Sequence, residues 1–491
     1  MTTDGGKDWI NVTQNFPDLP KYGTVSHIEP STFNAGTAYI NFNFHQMDNR
    51  DPYIYMTTDY GKTWKFISGD IPKSVFSYVH AVIEDPFRQG MLFAGTENSI
   101  YMTYDYGTHW IPINTNLPHA PVSWMVIQKH FHDLVLATKG RGFWILDDIT
   151  PLEQLTPDVL NSSEYFFRTR PAYRFRRISV PREVPDDPSM GQNPPYGADI
   201  NYYLKTVPEG NVKITILDSA GNVVRTFQGT KEAGINRVYW NLRYPDVRTV
   251  KLRTTPPAYP QIWSDQRFIG KTTRPIYHWG ISPTLMGALA DPGNYTVELT
   301  VNGKTLKQPL TVIKDPHSAG TLADVRASVK LWRAIDADVD TVVGMINSIE
   351  RVRKQIEDMP VYIQGLPDAS SIVESAKTLD WKIQKVENRL FQKYLVADDE
   401  KTYAAPMKLY MKFLWLAGEV GDGAGDVPGS PDFAPTDQDV TVFNILNRRM
   451  ENVEVEYKTL MTSTIPAFNN MLKAKGILAV ILDPTPVDGM K

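Results

Sequence analysis

Three periodicities in one chain predict a mixed multidomain fold. It comprises β-propeller blades forming an incomplete ring, then an immunoglobulin-like β-sandwich, then a C-terminal antiparallel α-helical bundle. The blades are predicted by a phrase, Thr-x-Asp-x-Gly-x-x-Trp, that starts at Thr2, Thr57 and Thr103. Its aspartates, Asp4, Asp59 and Asp105, lie 55 and 46 residues apart. A repeat near that period is the sequence signature of propeller blades. The sandwich is predicted by two-residue alternation between about Ile200 and Val312. The bundle is predicted by apolar residues in steps of three and four from Val325 onward.

Taken in order, residues 1–160 read as short strands such as Ala38-Tyr39-Ile40, Met91-Leu92-Phe93-Ala94 and Leu134-Val135-Leu136-Ala137, bounded by Gly, Asn, Asp and Pro. In each repeat the Asp carboxylate is expected to accept backbone N–H groups across the turn. Gly6, Gly61 and Gly107 supply a positive φ. Trp9, Trp64 and Trp110 are expected to pack each hairpin onto its neighbour. A last strand group, residues 137–148, ends the array. Propellers generally close with four to eight blades, so an array of three to four points to an incomplete ring. The expectation is therefore a partner carrying the missing N-terminal blades, either in the same precursor or as a separate chain.

Residues 161–316 read as the sandwich. Strands at 200–204, 212–217, 223–227 and 236–242 are followed by a hairpin turning at Asn302-Gly303, a type I′ signal. A Pro-rich stretch, Pro181 to Pro195, precedes them. An insertion at 243–291, with Trp263, Tyr277, His278 and Trp279, is expected to pack as an ordered loop. Residues 317–491 read as the bundle. One stripe runs from Val325 to Ile356, with Pro360, Gly365 and Pro367 as breakers, and a second from Ile372 to Leu390. Shorter helices follow near Met407–Leu416 and Val440–Leu460, with Pro466 bending or ending the last.

The repeats resemble the Asp-box, or bacterial neuraminidase, repeat. The order of the three parts resembles large bacterial sortilin-like Asp-box proteins of the group usually labelled "glycosyl hydrolase, BNR repeat". Residues Arg50-Asp51-Pro52-Tyr53-Ile54-Tyr55, Glu84-Asp85-Pro86, Gly95-Thr96-Glu97, Gly140 to Asp148 and Pro292 to Val297 carry that resemblance. It implies the C-terminal half of a longer protein, and a secreted, periplasmic or cell-surface location. Lys139 stands where the family more often has His.

Composition excludes several classes. A net charge of −4 gives no electrostatic footprint for nucleic acid. Zero cysteines exclude disulfides, thiolate metal sites and thiol catalysis. No apolar run reaches a membrane span, no signal peptide precedes the first repeat, and no cofactor motif is present. A box aspartate that braces a turn has a lowered pKa and is a poor general acid, so Asp4, Asp59 and Asp105 read as structural. The candidates for ligand binding are His45, Asp48, Arg50 and Asp51 in one polar cluster, and Arg141. Glycoside hydrolysis would need a pair of carboxylates flanking the bond. Asp48, Asp51, Glu97, Asp147 and Asp148 are available, none with a distinguishing motif. His130 and His132 could share one face of a strand, but no third metal ligand is evident. Gly421 to Asp426 does not follow a calcium-loop pattern. The reading favoured is a non-catalytic binding or scaffolding module for a protein or polysaccharide partner. The alternative is a glycoside hydrolase, sialidase- or glucanase-like, whose acids lie largely in the missing blades.

Overall fold

The structure, a computed structural model, describes residues 1–175, 191–278, 285–393, 404–421 and 432–480. Residues 181–190 of the Pro-rich stretch, Trp279 and the loop 422–426 lie outside them. The fold is mixed, with antiparallel sheets followed by a helical C-terminal region. The chain divides into two compact units. The first is formed by residues 1–167, 201–206 and 232–235, and the second by 168–200, 207–231 and 236–491.

The first unit contains three antiparallel meanders. β1 (Thr24–Pro30), β2 (Ala38–Asn43), β3 (Tyr53–Thr57) and β4 (Lys65–Phe66) form the first sheet. β5 (Val79–Glu84), β6 (Leu92–Thr96), β7 (Ile100–Thr103) and β8 (Ile111–Pro112) form the second. The third has three strands, β9 (Val122–Gln128), β10 (Asp133–Thr138) and β11 (Phe143–Leu146). Two short helices, α1 (Thr150–Gln154) and α2 (Pro157–Asn161), follow. β12 (Glu164–Phe166) then pairs with Tyr202–Leu204.

The sheets stack through alternate side chains. Tyr39 and Ile54 of the first sheet share a core with Val82, Leu92 and Ala94 of the second. Ala81, Ile83, Phe93 and Met102, from the other face of the second sheet, share a core with Met125, Ile127, Leu134 and Leu136 of the third. Each of the larger side chains contributes about 1.5–3 kcal/mol by leaving water. Polar groups inside the stack are paired across it. Tyr39 Oη donates to Glu84 at 2.8 Å, Asn41 Nδ2 to the Val79 carbonyl at 2.8 Å, and His27 Nδ1 to the Val82 carbonyl at 2.7 Å.

The second and third boxes are the β3–β4 and β7–β8 hairpin turns. Thr57 Oγ1 donates to Asp59, which accepts from the Thr63 N–H (2.9 Å) and Thr63 Oγ1 (2.7 Å). These bonds, the Thr63 backbone bond foremost, bring the Asp59 carboxyl down to about 2. Burial raises Asp105, but bonds from His109 and Thr103 outweigh it and bring it also to about 2. The tryptophans differ from one box to the next. Trp110 is 5% exposed, and its indole N–H donates to the Ile67 carbonyl of the preceding repeat at 2.7 Å. Trp64 stacks on Phe16 with ring centres 4.5 Å apart. Trp9 departs from the expected packing. It is 73% exposed and bonds only within its own box, to the Gly6 carbonyl, because the described residues place no earlier repeat beneath it.

In the second unit β13 (Ala172–Arg174) is followed by β14 (Ala198–Leu204), which runs on into the first unit. β15 (Lys213–Leu217) and β16 (Val223–Gln228) come next. β17 (Gly234–Trp240), β18 (Gly293–Val301) and β19 (Lys304–Lys314) complete the strands. One five-stranded sheet runs β13-β19-β18-β15-β16, with β13 parallel to β19. Asn302 and Gly303 both have positive φ at the β18–β19 turn, the type I′ geometry their sequence predicts.

The helices are α3 (Leu322–Tyr362), α4 (Ala369–Leu390), α5 (Leu409–Gly421), α6 (Asp437–Thr459) and α7 (Ile465–Ala474). Capping boxes start α3 (Thr321 with Asp324) and α6 (Thr436 with Asp439). Pro360 lies inside the last turn of α3. Pro466 does not end the last helix: a π turn at Leu460–Thr464 absorbs the break, and α7 continues.

The 243–291 insertion packs on α3 of the same unit. Val247, Val250, Leu252, Ile276 and Ala288 join the helical core. The irregular backbone still needs hydrogen-bond partners, and one stripe of α3 supplies them. Asp336 accepts from the Ala288 N–H, Asp340 from Arg248, Asn347 from Lys251 and Glu350 from Thr254, at 2.7–3.1 Å. Beneath this stripe Arg353 pairs with Glu387 (2.7 Å), Asp380 (2.8 Å) and Glu350 (3.3 Å), with both glutamates fully buried. Burial pushes the Glu387 carboxyl up, and Arg353 opposes that shift.

Denaturant unfolding of three variants tests this packing. Gly107→Ala puts a methyl group 2.7 Å from the Ile67 carbonyl at φ +83°, and is expected to cost about 2–4 kcal/mol from strain plus overpacking. Gly6→Ala, with nothing closer than 3.9 Å, carries the strain alone, about 1 kcal/mol. Arg353→Met leaves buried carboxylates uncompensated and is expected to cost about 3–5 kcal/mol.

Candidate functional site

The box turns lie at one end of the strands of the first unit. The connections between second and third strands lie at the other, and the residues with binding chemistry gather there. His45 opens a 3-10 turn, His45–Met47, after β2. Its ring stacks on Tyr78 with centres 5.1 Å apart, and Asn43 Oδ1 lies 2.6 Å from its Nδ1. Asp48 ends that turn in the left-handed region at φ +56°, a conformation Asp tolerates. Asn49 Oδ1 accepts the Asp51 N–H at 3.0 Å and so fixes the loop. Asp51 accepts from Lys73 Nζ at 2.5 Å, which ties the β2–β3 loop to the one leading into β5.

That second loop brings in residues the sequence did not single out. Tyr78 and His80, two apart on an extended segment, both reach Glu97 in the β6–β7 turn. His80 Nε2 is 2.8 Å from Glu97 Oε2. Tyr78 donates to Glu97 and is almost buried; burial first, then the carboxylate, pushes its hydroxyl up to about 12, while Arg50 opposes the shift. His119 Nδ1 faces the Asn98 carbonyl at 3.4 Å, and the Lys139 N–H donates to the Pro121 carbonyl. These contacts run the cluster toward the β10–β11 turn, where Arg141 is exposed. Met47, Val75 and Phe76 on these loops are 50–57% exposed. The signal available in sequence was the pairing of Tyr78 and His80 at a spacing of two with the acid of Gly95-Thr96-Glu97.

Two of the candidate carboxylates are engaged. Glu97 is engaged by a histidine and a tyrosine, and Asp51 by a lysine. A general acid for glycoside cleavage needs a raised pKa and an open approach. Asp148 is buried and structural. It accepts from Thr150 Oγ1 (2.7 Å) and Asn201 Nδ2 (2.8 Å), just ahead of α1. Asp147 also has interactions of its own. His130 and His132 are not on a strand: His132 sits in the β9–β10 turn at φ +57°, stacked on Phe87 and bonded to Glu153 at 2.7 Å. Among the described residues no group of three His, Cys, Asp or Glu could hold a metal ion. No helix there is long and apolar enough to cross a membrane. At the box end, a groove of about 580 Å³ is lined by Asn34, Trp64, Gln89, Asp105 and Tyr106.

No family profile matches the chain, and no curated protein does. Among solved structures it is similar to a GH74 xyloglucanase from Xanthomonas campestris, at 19% identity over 32% of this chain and 24% of that one, TM-score 0.24. It is also similar to a GH74 enzyme from Niastella koreensis, at 10% identity over 58% and 38%, TM-score 0.22. An ancestral GH74 enzyme matches at 12% identity over 58% and 31%, TM-score 0.20. The chain therefore spans between 24% and 38% of the length of these structures. At such TM-scores the likeness carries no argument about activity.

Burial lowers the pKa of His132, but the bond and charge of Glu153 outweigh it and hold the imidazole above its ordinary value. The stability this pair contributes is full below the unfolded-state histidine value. It is lost as pH rises through the raised folded value. An NMR titration is expected to place His132 above an exposed histidine, and Glu153→Gln to bring it below.

Proposed function

We propose that the first unit is a set of propeller blades whose loop end binds a polysaccharide or protein partner without catalysing a reaction. In this reading residues 161–316 form an immunoglobulin-like sandwich and 317–491 a helical bundle that carry the blades. The ring is completed by blades outside the three sheets described here. A secreted, periplasmic or cell-surface location belongs to the same proposal and follows from the family resemblance. The observation that carries it is the joining of His45, Tyr78, His80 and Glu97 from three loops, with the charge of Arg50 acting on Tyr78, beside exposed Met47, Val75 and Phe76. Fixed polar groups around an exposed apolar patch are what a binding surface needs, and Asp51 and Glu97 there are already engaged. Arg141 extends the surface toward the third sheet.

Binding to a panel of soluble polysaccharides, xyloglucan included, and hydrolysis of chromogenic glycosides test this reading. Arg50→Ala and Glu97→Gln are expected to weaken binding about 10-fold or more with the melting temperature nearly unchanged, and no turnover is expected. Turnover abolished by Glu97→Gln would establish the glycoside hydrolase alternative instead.

A further inference from the structure

A cavity of about 280 Å³ opens in the second unit, where the last turns of α3 meet α4 and the 243–291 insertion. Helical spacing builds two of its walls. Arg353, Ile356 and Pro360 recur in steps of three and four along α3, and Val373, Ala376 and Asp380 do so along α4. Thr254, Thr255 and Pro257 of the insertion form the third wall. Ile356, Met359 and Ala376 give the cavity an apolar lining and are themselves at most 7% exposed.

The polar groups lining it are acceptors already engaged and donors still open. Asp380 accepts from Arg353 Nε at 2.8 Å and from Gln384 Nε2, and Gln384 Oε1 accepts from Lys393. Glu357 accepts from the Thr255 N–H at 3.3 Å and from Lys354 Nζ at 3.4 Å. The Arg353 guanidinium spends Nε on Asp380 and Nη1 on Glu387, Glu350 and Thr254. Its Nη2 has no partner among the described residues, yet it is not among the atoms sealed from solvent. Arg353 as a whole is 8% exposed, so that edge of the guanidinium forms a polar floor to the cavity. Thr255 Oγ1 accepts from the Trp263 indole N–H at 3.2 Å, which leaves its own O–H to donate. Lys377 stands at the mouth, its side chain 68% exposed.

The charges beneath the floor are balanced. Buried Arg274 and Lys393 act with Arg353 on Glu350, Asp380 and Glu387, and burial pushes the Glu387 carboxyl up. No negative surplus is left there to repel an anion. An ammonium ligand would need an open carboxylate, and those lining the cavity are taken. A sugar would want an aromatic face and an open amide; no aromatic ring lines this cavity, and the Gln384 amide is bonded at both ends. We propose that the cavity binds a small organic carboxylate with an aliphatic body. The carboxylate accepts from Arg353 Nη2 and the Thr255 hydroxyl, and the body lies against Ile356, Met359 and Ala376. The site belongs to the second unit, so this inference rests neither on the blade reading nor on binding at the loops.

Isothermal titration calorimetry of the full chain with hexanoate tests it, with hexanol and hexylamine as probes of the same length. Hexanoate is expected to saturate a single site and to bind about 10-fold or more tighter than either of the others. Replacing Arg353 would unsettle the buried charges, so the head group of the probe is varied instead. Val373→Phe, at a partly buried position of the wall, puts a ring into the cavity. It should weaken hexanoate by about 10-fold or more with circular dichroism unchanged. In the wild-type chain the Met359 methyl resonance should shift on adding hexanoate, which locates the site without a substitution. Absence of saturable hexanoate binding up to tens of millimolar overturns the proposal. So does equal affinity for hexanol or hexylamine, and so does saturable binding that leaves the Met359 resonance unmoved or is indifferent to Val373→Phe.

Discussion

Each sheet of the first unit depends on the next through front-to-back contact between alternate side chains. A single strand buries one row toward each neighbour, so the register of every ladder decides what lies in the core. Val82 faces one way and Ile83 the other, and both are buried only because sheets stand on both sides. The boxes hold this arrangement at its outer end. Trp110 reaches back to the Ile67 carbonyl, and Gly107 lies so close to that carbonyl that no side chain fits between them. The aspartate is consumed in the turn, which is why the most recognisable residues of the chain are far from its binding chemistry.

The repeats, the Asn302-Gly303 hairpin and the long helical stripes were legible because each is local. A turn declares itself by a positive φ, and a helix by three- and four-residue steps. The fate of Trp9 was not legible. Its box matches the other two, and only the neighbour differs. The joining of Tyr78, His80 and Glu97 was equally hidden, since it depends on how one loop crosses a hairpin in the adjacent sheet. His45, Arg50 and Asp51 could be singled out as a polar cluster, but not the partners that organise them. The histidines at 130 and 132 misled because the stretch alternates like a strand while the backbone turns at His132.

The second unit shows how an irregular segment becomes ordered without a ladder. The 243–291 insertion has few strand partners. Its backbone is satisfied by Asp336, Asp340, Asn347 and Glu350, which recur along one stripe of α3. In the sequence only the apolar stripe of this helix declares itself, since nothing local marks which polar residues will meet an irregular segment. Arg353 below it gathers Glu350, Asp380 and Glu387 from two helices. A group of this kind adds less to net stability than its bonds suggest, because burying the charges is costly. Its consequence is a fixed register of α3, α4 and the insertion.

The central claim is that burial in the first unit is set by position in the stack rather than by residue type. Hydroxyl-radical footprinting of the protein compares three tryptophans with the same box phrase. The account predicts oxidation fastest at Trp9, intermediate at Trp64 and slowest at Trp110, following their exposure. Equal protection of all three would contradict it, because the boxes would then be packed alike.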